Sequence, residues 1–234
     1  MTKSLSDADP KIVALVPMRH HSERVHGKNY RLFAGKPLFH YILRSLLACP
    51  LVSQVVVDTD SPVIKDEILN KFSKIKIIDR PEHLKADTVP MNDVLLHDVK
   101  KVKADYYLQT HSTNPLLLTK TISRAIELFL ENRSTYDSLF SVTKAQVRLW
   151  DELTRPLNHN PAILLRTQDL PPVYEENSCL YIFTRQTLES THNRIGQRPL
   201  MHEIDRLEAW DIDDELDFSI SECLYKEHFT AKGK

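Results

Sequence analysis

The chain predicts an α/β fold: a three-layer, doubly wound, mostly parallel sheet with helices on both faces. Three observations carry this. Short apolar runs of β type recur along the sequence, apolar residues at helical spacing lie between them, and polar, ligand-competent loops follow the strands. Strands alternating with helices imply parallel βαβ units. Such a sheet offers its ligand site at the carboxyl ends of the strands.

The elements follow in order. Residues 1–10 (MTKSLSDADP) read as a flexible leader, and 11–234 as one domain. Lys11 to Pro17 (KIVALVP) is a buried parallel strand. A polar loop from Met18 to Gly35 follows. Pro37 stands where a first helical turn tolerates it, with Leu38, Tyr41, Ile42 and Leu46 at helical spacing. Gln54 to Asp58 is the second strand. Thr59-Asp60-Ser61-Pro62 then opens a helix marked by Ile64, Ile68 and Leu69. Ile75 to Ile78 is the third strand. Pro90 opens a helix with Val94, Leu95, Val99 and Val102 on one face. Asp105 to Gln109 is a strand, Ile122, Ile126, Phe129 and Leu130 mark a helix, and Ser138 to Val142 is another strand. From 144 to 176 the rhythm breaks, with Ala162 to Arg166 and Ser178 to Phe183 reading as strands. This excursion is either a dimerisation arm or a substrate lid. A last helix carries Leu216, Ile220 and Leu224.

Composition narrows the function classes. Lys plus Arg number 31 against 32 for Asp plus Glu. No global field therefore favours nucleic acid or an anionic membrane, and an anion site must be built locally. Cys49, Cys179 and Cys223 are scattered and odd in number, which argues against a disulfide framework or a zinc site. No stretch has the length of a membrane span, and the first residues lack the apolar run of a signal peptide. The expectation is a cytoplasmic protein. With only 4 glycines, a glycine-lined phosphate cradle is not repeated, and Gly27 and Gly35 carry weight.

Two constellations carry chemistry. Arg19, Arg24 and Lys28 place three fixed cations directly after the first strand. Arg grips phosphate oxygens bidentately, Lys adds a mobile point charge, and Ser22 with the loop amides can donate to the same anion. By composition alone this is equally a solvated basic loop; its place at a strand's carboxyl end favours phosphate. Asp211 and Asp213, two apart in an extended stretch, can face one cation, and hard oxygens beside a triphosphate suit Mg²⁺. Acids at Asp213, Asp214 and Glu215 also favour the dipole of the helix that follows, and both roles can hold together. Of the 11 histidines, His20, His21 and His26 crowd the basic loop and His111 lies in the 109–115 loop. They suit donors to phosphate or substrate oxygens better than zinc ligands.

Pro17, Arg19, Ser22, Lys28 and Asn29, followed by Ala34 to Leu38, resemble the nucleotide-binding loop of the acylneuraminate cytidylyltransferase family, which includes the CMP-sialic acid and CMP-Kdo synthetases. Val55 to Asp60 resembles that family's second strand and STD-type turn. Arg80-Pro81-Glu82 and Ala86-Asp87-Thr88 resemble its RP(A/E) and DT segments. Thr110 to Leu116 is similar to its LQPTSPL loop, Asn177 to Tyr181 to NGAIY, and Trp210 to Asp217 to the DIDTELD closing motif. The order and spacing of these segments span residues 12 to about 222. The resemblance implies a nucleotide-diphospho-sugar transferase-like fold and attack of an acid sugar's anomeric hydroxyl on the α-phosphorus of CTP, with loss of pyrophosphate. It implies Arg19, Lys28 and Asp211 as catalytic groups, and Asp211 and Asp213 as Mg²⁺ ligands. Nucleotide contacts would come from Arg19, Ser22, Lys28, Asn29, Arg80 and Thr88, acceptor contacts from His111, Thr113 and Asn177. A homodimer with arms reaching across is also implied.

The departures fall on the acceptor side. His20-His21 stands where many members carry Gly-Gly, Glu175 where sialate-type members have Arg, and His111 where they offer Gln. Glu175 and Glu176 would repel a carboxylate, or alternatively receive hydroxyl or amino groups of an acceptor unlike N-acetylneuraminate. Arg166, Arg194, Arg198 and His111 are the candidate donors for the carboxylate by type, and a 2-keto-3-deoxy acid other than N-acetylneuraminate is expected. Two rivals stand beside this reading. One is a metal-dependent glycosyltransferase with an Asp-x-Asp pair, although that pair normally lies mid-chain. The other is a non-catalytic nucleotide- or sugar-binding relative.

Overall fold

The computed structural model describes residues 10–230; of the leader expected at 1–10, residues 1–9 lie outside the described residues. The strands are β1 (Ile12–Met18), β2 (Leu32–Phe33), β3 (Lys36–Pro37), β4 (Gln54–Thr59), β5 (Ile75–Asp79), β6 (Tyr106–Gln109), β7 (Ser138–Ala145), β8 (Val173–Phe183) and β9 (Pro199–Glu203). The α-helices are α1 (Phe39–Leu47), α2 (Pro62–Lys71), α3 (Met91–Lys101), α4 (Thr119–Asn132), α5 (Arg185–Thr191) and α6 (Glu215–Tyr225).

Seven strands form one sheet in the order β5-β4-β1-β6-β8-β7-β9. β1 pairs in parallel with both β4 and β6, and β8 alone runs against its neighbours. Every β1 residue is buried, which is why its sequence is a continuous apolar run rather than an alternation. Its even positions, Ile12, Ala14, Val16 and Met18, pack in the cluster with α1, α2 and α4. Val13 and Leu15 pack in the other, with Leu95 and Val99 of α3 and Leu188 of α5. The three layers are as expected. Connections leave β1 toward β4 on one side and the chain returns to β6 on the other. The strand order therefore reverses at β1/β6, where a doubly wound sheet leaves a crevice.

Local chemistry sets several boundaries. Ser61 accepts from the Ile64 amide at 3.3 Å to cap α2, with Pro62 at its first position. Asp214 and Asp217 form a reciprocal capping box at α6.

Three expectations need correction. Pro37 lies in the β2–β3 hairpin, and α1 begins at Phe39. Ala162 to Arg166 is not a strand: its backbone bonds are local turns, Ile163 to Asn160 and Leu165 to Ile163, with no ladder to join. The last helix does not bury a Leu216 stripe. Leu216 is exposed, and Phe218 packs inward with Phe33, Leu38, Tyr41 and Ile212. α5 and β9 were not anticipated.

The excursion between β7 and β8 is held by a Trp150–Pro156 bridge and leaves Trp150, Leu153, Leu157, Ile163 and Leu164 exposed. Among the described residues no helix is long and apolar enough to cross a membrane.

Candidate active site

Three segments meet at the carboxyl end of β1: the loop after it, the loop after β6, and the extended stretch 211–213 before α6. Lys28 Nζ donates to the Ile212 carbonyl at 2.6 Å, and the Ile212 amide donates to the Thr113 carbonyl at 3.0 Å. Buried Asn29 donates from Nδ2 to the Arg19 carbonyl at 2.7 Å and accepts from Ser112 Oγ at 2.6 Å. One end of its amide thereby braces the loop after β1 and the other joins it to the loop after β6. Gly27 makes possible the turn that leads into Lys28 and Asn29. Its φ is 62°, and a Cβ there would lie 2.7 Å from the Tyr30 ring.

The cleft so formed has a volume of ≈ 520 Å³ and is bordered by Arg19, Ser22, Lys28, His111, Thr113 and Asp211, among others. Its charges are paired across segments. Arg19 bonds Asp87, and Arg24 Nη2 lies 2.7 Å from Asp213. Burial lowers the Lys28 pKa, with Asp211 and Asp213 opposing the shift. Asp211 is raised by burial and by Asp213, against a hydrogen bond from Thr113 and the charge of Lys28. Asp211 Oδ1 is buried without a hydrogen-bond partner. Two neighbouring hard carboxylates, one with an unclaimed oxygen, are a donor set that fits Mg²⁺.

The opposite wall lies toward β8. Arg194 Nη1 donates to Gln109 Oε1 at 2.7 Å, and its guanidinium sits 3.6 Å from the Tyr181 ring centre. Arginine offers only donors, so Gln109 must turn its oxygen to it and its NH₂ to His111 Nε2, 3.0 Å away. That nitrogen therefore accepts, and His111 is neutral. Burial, then Arg194 and Lys28, push its pKa down to about 3. Next to this wall a second recess of ≈ 380 Å³ is bordered by Thr143, Glu175, Glu176, Asn177 and Trp210. It shares Ser178, Asp211 and Asp213 with the main cleft.

Beneath the cleft floor, Arg80 and Asp58 form a buried ion pair, their side chains 2% and 0% exposed. Asp98 of α3, also buried, has no donor to either oxygen, and Asp58 Oδ2 has none. Asp58, Asp98 and His97 bring one ligand atom each within 4.8 Å of one another, and His97 Nε2 has no hydrogen-bond partner. A dication would leave this group net positive beside Arg80, whereas one proton shared by the two carboxyls leaves it neutral. Burial, followed by Asp58, pushes Asp98 up to about 9.

The sequence-derived residues distribute as follows. Arg19, Ser22, Lys28, Asn29, Arg80, His111, Thr113, Asp211 and Asp213 border one cleft. Thr88 is exposed in the turn whose neighbours Ala86, Asp87 and Val89 border it. Asn177 borders the second recess, its amide taken up by Ser141 and Thr143. His20 turns away: its ring bonds Ser61 Oγ at 2.8 Å and stacks on Tyr30, while His21 borders the cleft. Of the arginines named for a carboxylate, Arg166 pairs with Asp169 on the excursion, Arg198 borders a different recess, and Arg194 alone reaches the cleft. Sequence reasoning missed Asp87 as the partner of Arg19, Gln109 as the link between His111 and Arg194, and Asp98. Gln109 ends an apolar strand and was the one legible signal among them.

The family described as cytidylyltransferase matches residues 13–229. The chain is 27% identical over 228 residues to a post-translational flagellin modification protein B of Campylobacter coli, covering 93% of this chain and 96% of that protein. It is 28% identical over 230 residues to the CMP-N,N'-diacetyllegionaminic acid synthase of Legionella pneumophila, covering 92% and 96%. Against the N-acylneuraminate cytidylyltransferase of Escherichia coli it is 24% identical over 220 residues, and the match spans 90% of this chain but 51% of that protein. Among solved structures, a CMP:2-keto-3-deoxy-manno-octonic acid synthetase complexed with CTP matches with a TM-score of 0.69. That match covers 94% of this chain and 100% of the other at 14% identity. A 4-diphosphocytidyl-2C-methyl-D-erythritol synthase of Anaerococcus prevotii gives 0.66 over 93% and 96% at 10% identity. At such identities these two speak to the fold alone. The family match runs from β1 through the cation loop and the Asp211–Asp213 stretch to the end of the described chain, and the protein belongs to the cytidylyltransferase family.

Proposed function

We propose that this protein transfers a cytidylyl group from CTP to the anomeric hydroxyl of a 2-keto-3-deoxy acid sugar, releasing pyrophosphate. One observation carries the reading. Lys28, Thr113 and the Asp211–Asp213 stretch are tied together through Ile212, so cations and paired carboxylates border one cleft in a chain of this family. The relatives named for legionaminic and acylneuraminic acids support an acidic sugar as acceptor.

In this reading the acceptor oxygen forms a bond to the α-phosphorus as the bond to the β-phosphate oxygen breaks. The hydroxyl proton is lost, with Asp211 placed to receive it. Arg19 and Lys28 balance the charge of the leaving pyrophosphate, Ser22 donates to the phosphates, and Asn29 keeps the two loops in register. Positioning and charge neutralisation supply the rate. Mg²⁺, held by Asp211 and Asp213, would add charge stabilisation on the phosphates. Thr88 and the backbone of 87–92 would read cytosine. His111, Thr113 and Asn177 lie on the acceptor side, and Glu175 and Glu176 disfavour N-acetylneuraminate there. The exposed apolar residues of the 144–176 excursion would be covered in a homodimer.

Pyrophosphate release from a panel of nucleoside triphosphates and acid sugars tests this. CTP with a 2-keto-3-deoxy acid is expected to be the productive pair. Release with no acid sugar would refute the reading, and sugar transfer from a nucleotide-sugar would favour a glycosyltransferase. With the acids in equal competition, a tenfold or greater preference for N-acetylneuraminate (about 1.4 kcal/mol) would overturn the part given to Glu175.

A further inference from the structure

We propose that Arg194 receives the carboxylate of the acceptor sugar, an inference that rests on the acid-sugar reading above. Every other arginine bordering the cleft has an acidic partner: Arg19 has Asp87, Arg24 has Asp213, and Arg80 has Asp58. Among the described residues Arg194 has none. Its contacts are the neutral Gln109 amide and Tyr181, over whose ring it lies and with whose side chain it hydrogen-bonds. Glu176, the acid whose charge reaches it, instead accepts from the Tyr181 hydroxyl. A half-buried guanidinium without a counter-ion is costly, and an anionic ligand offsets that cost.

Position separates this cation from those for the triphosphate. Arg19 and Lys28 stand on the loop after β1, whereas Arg194 packs on Tyr181 of β8, with β6 between the two strands. His111, on the loop after β6, feels the charges of both Lys28 and Arg194. The side chain is also fixed in advance. Tyr181 supports its plane, Gln109 takes one Nη1 donor, and Asn92 Oδ1 accepts from its backbone amide at 3.3 Å. Among the described residues no carboxylate ion-pairs with this guanidinium, whose donors suit an acid ligand. This supplies the cation that Glu175 removes from the sialate-type position, so an acidic acceptor remains compatible with an acidic 175–176 segment.

The test compares wild type, Arg194→Gln and Arg194→Lys with a 2-keto-3-deoxy acid sugar and with its carboxyl methyl ester, by steady-state kinetics and by calorimetric titration of each sugar. Loss of a buried charged pair predicts an acceptor KM about 100-fold higher in Arg194→Gln. The KM for CTP should be unchanged, and preference for the acid over its ester lost. Arg194→Lys should regain part of both. An unchanged CTP KM also shows that the variant is folded. An acceptor KM within about threefold of wild type, or a rise in the CTP KM instead, would overturn the assignment. If wild type binds the acid sugar but turns nothing over, only the proposed reaction falls. If it binds neither acid nor ester, the Arg194 assignment falls as well.

Discussion

Replacing Asp98 by Asn should change the pH dependence of stability more than the stability itself. Asp98 is 1% exposed and held beside the Asp58–Arg80 pair, and its pKa is pushed up to about 9 by burial and then by Asp58. An unfolded Asp titrates near pH ~3.9. Between these values the folded chain keeps a proton that the unfolded chain has lost, so stability falls as pH rises. One proton corresponds to about 1.4 kcal/mol per pH unit, or about 2.7 kcal/mol from pH 6 to 8. Asn holds the same shape, can donate its amide to Asp58 Oδ2, and has no proton to lose. The variant's urea midpoints, followed by the fluorescence of Trp150 and Trp210, should therefore decline less between pH 6 and 8, and the variant should be the more stable at pH 8. His40, His97 and His202, all lowered chiefly by burial, contribute the opposite slope below their unfolded pKa. They are common to both proteins and largely cancel in the difference. If the two slopes agree within about 0.5 kcal/mol over that interval, Asp98 is ionised in the fold and the shared proton is refuted.

Asp211→Asn and Asp213→Asn should each lower turnover by several orders of magnitude with circular dichroism unchanged, since each removes a proposed Mg²⁺ ligand. Wild-type rates at ordinary Mg²⁺ would remove the metal assignment. Gly27→Ala forces a left-handed φ on a side chain and sets a Cβ against Tyr30. A destabilisation of about 1–3 kcal/mol is expected in urea titrations, and a neutral result would show that the loop relaxes freely. Sedimentation at micromolar concentration should give twice the chain mass of 27.1 kDa; a clean monomer would leave the exposed apolar excursion to another role.

The strands were legible in the sequence because β1, β4, β6 and β7 are short apolar runs, and because Ser61-Pro62 and Pro90 mark helix starts chemically. Where the signal depends on what lies alongside, it misled. Ala162 to Arg166 has strand-forming residues but no neighbouring ladder, and the 4-residue spacing of Leu216, Ile220 and Leu224 gave way to Phe218, because the face of α6 is chosen by the β2–β3 hairpin and Tyr41. β9 follows a loop, 192–198, rich in polar side chains, and its strand state comes from pairing with β7.

The sequence by itself determined the alternation of the main strands and helices from β1 to β7, the cation loop after β1 and the pair of aspartates that joins it. Each is written in neighbouring residues, and the strand rule for ligand sites makes the loop's place meaningful. Only the tertiary structure decided that Asp87 partners Arg19, that Asn29 joins two loops, that Gln109 fixes the proton state of His111, and that Arg194 stands in the cleft without an acid. The Arg19–Asp87, Asn29–Ser112 and Gln109–Arg194 partnerships behind these span 68 to 85 residues of chain. Nothing in local propensity encodes them, because the energy of a charge or an amide depends on which groups the fold brings within hydrogen-bonding distance and how much water it leaves between them.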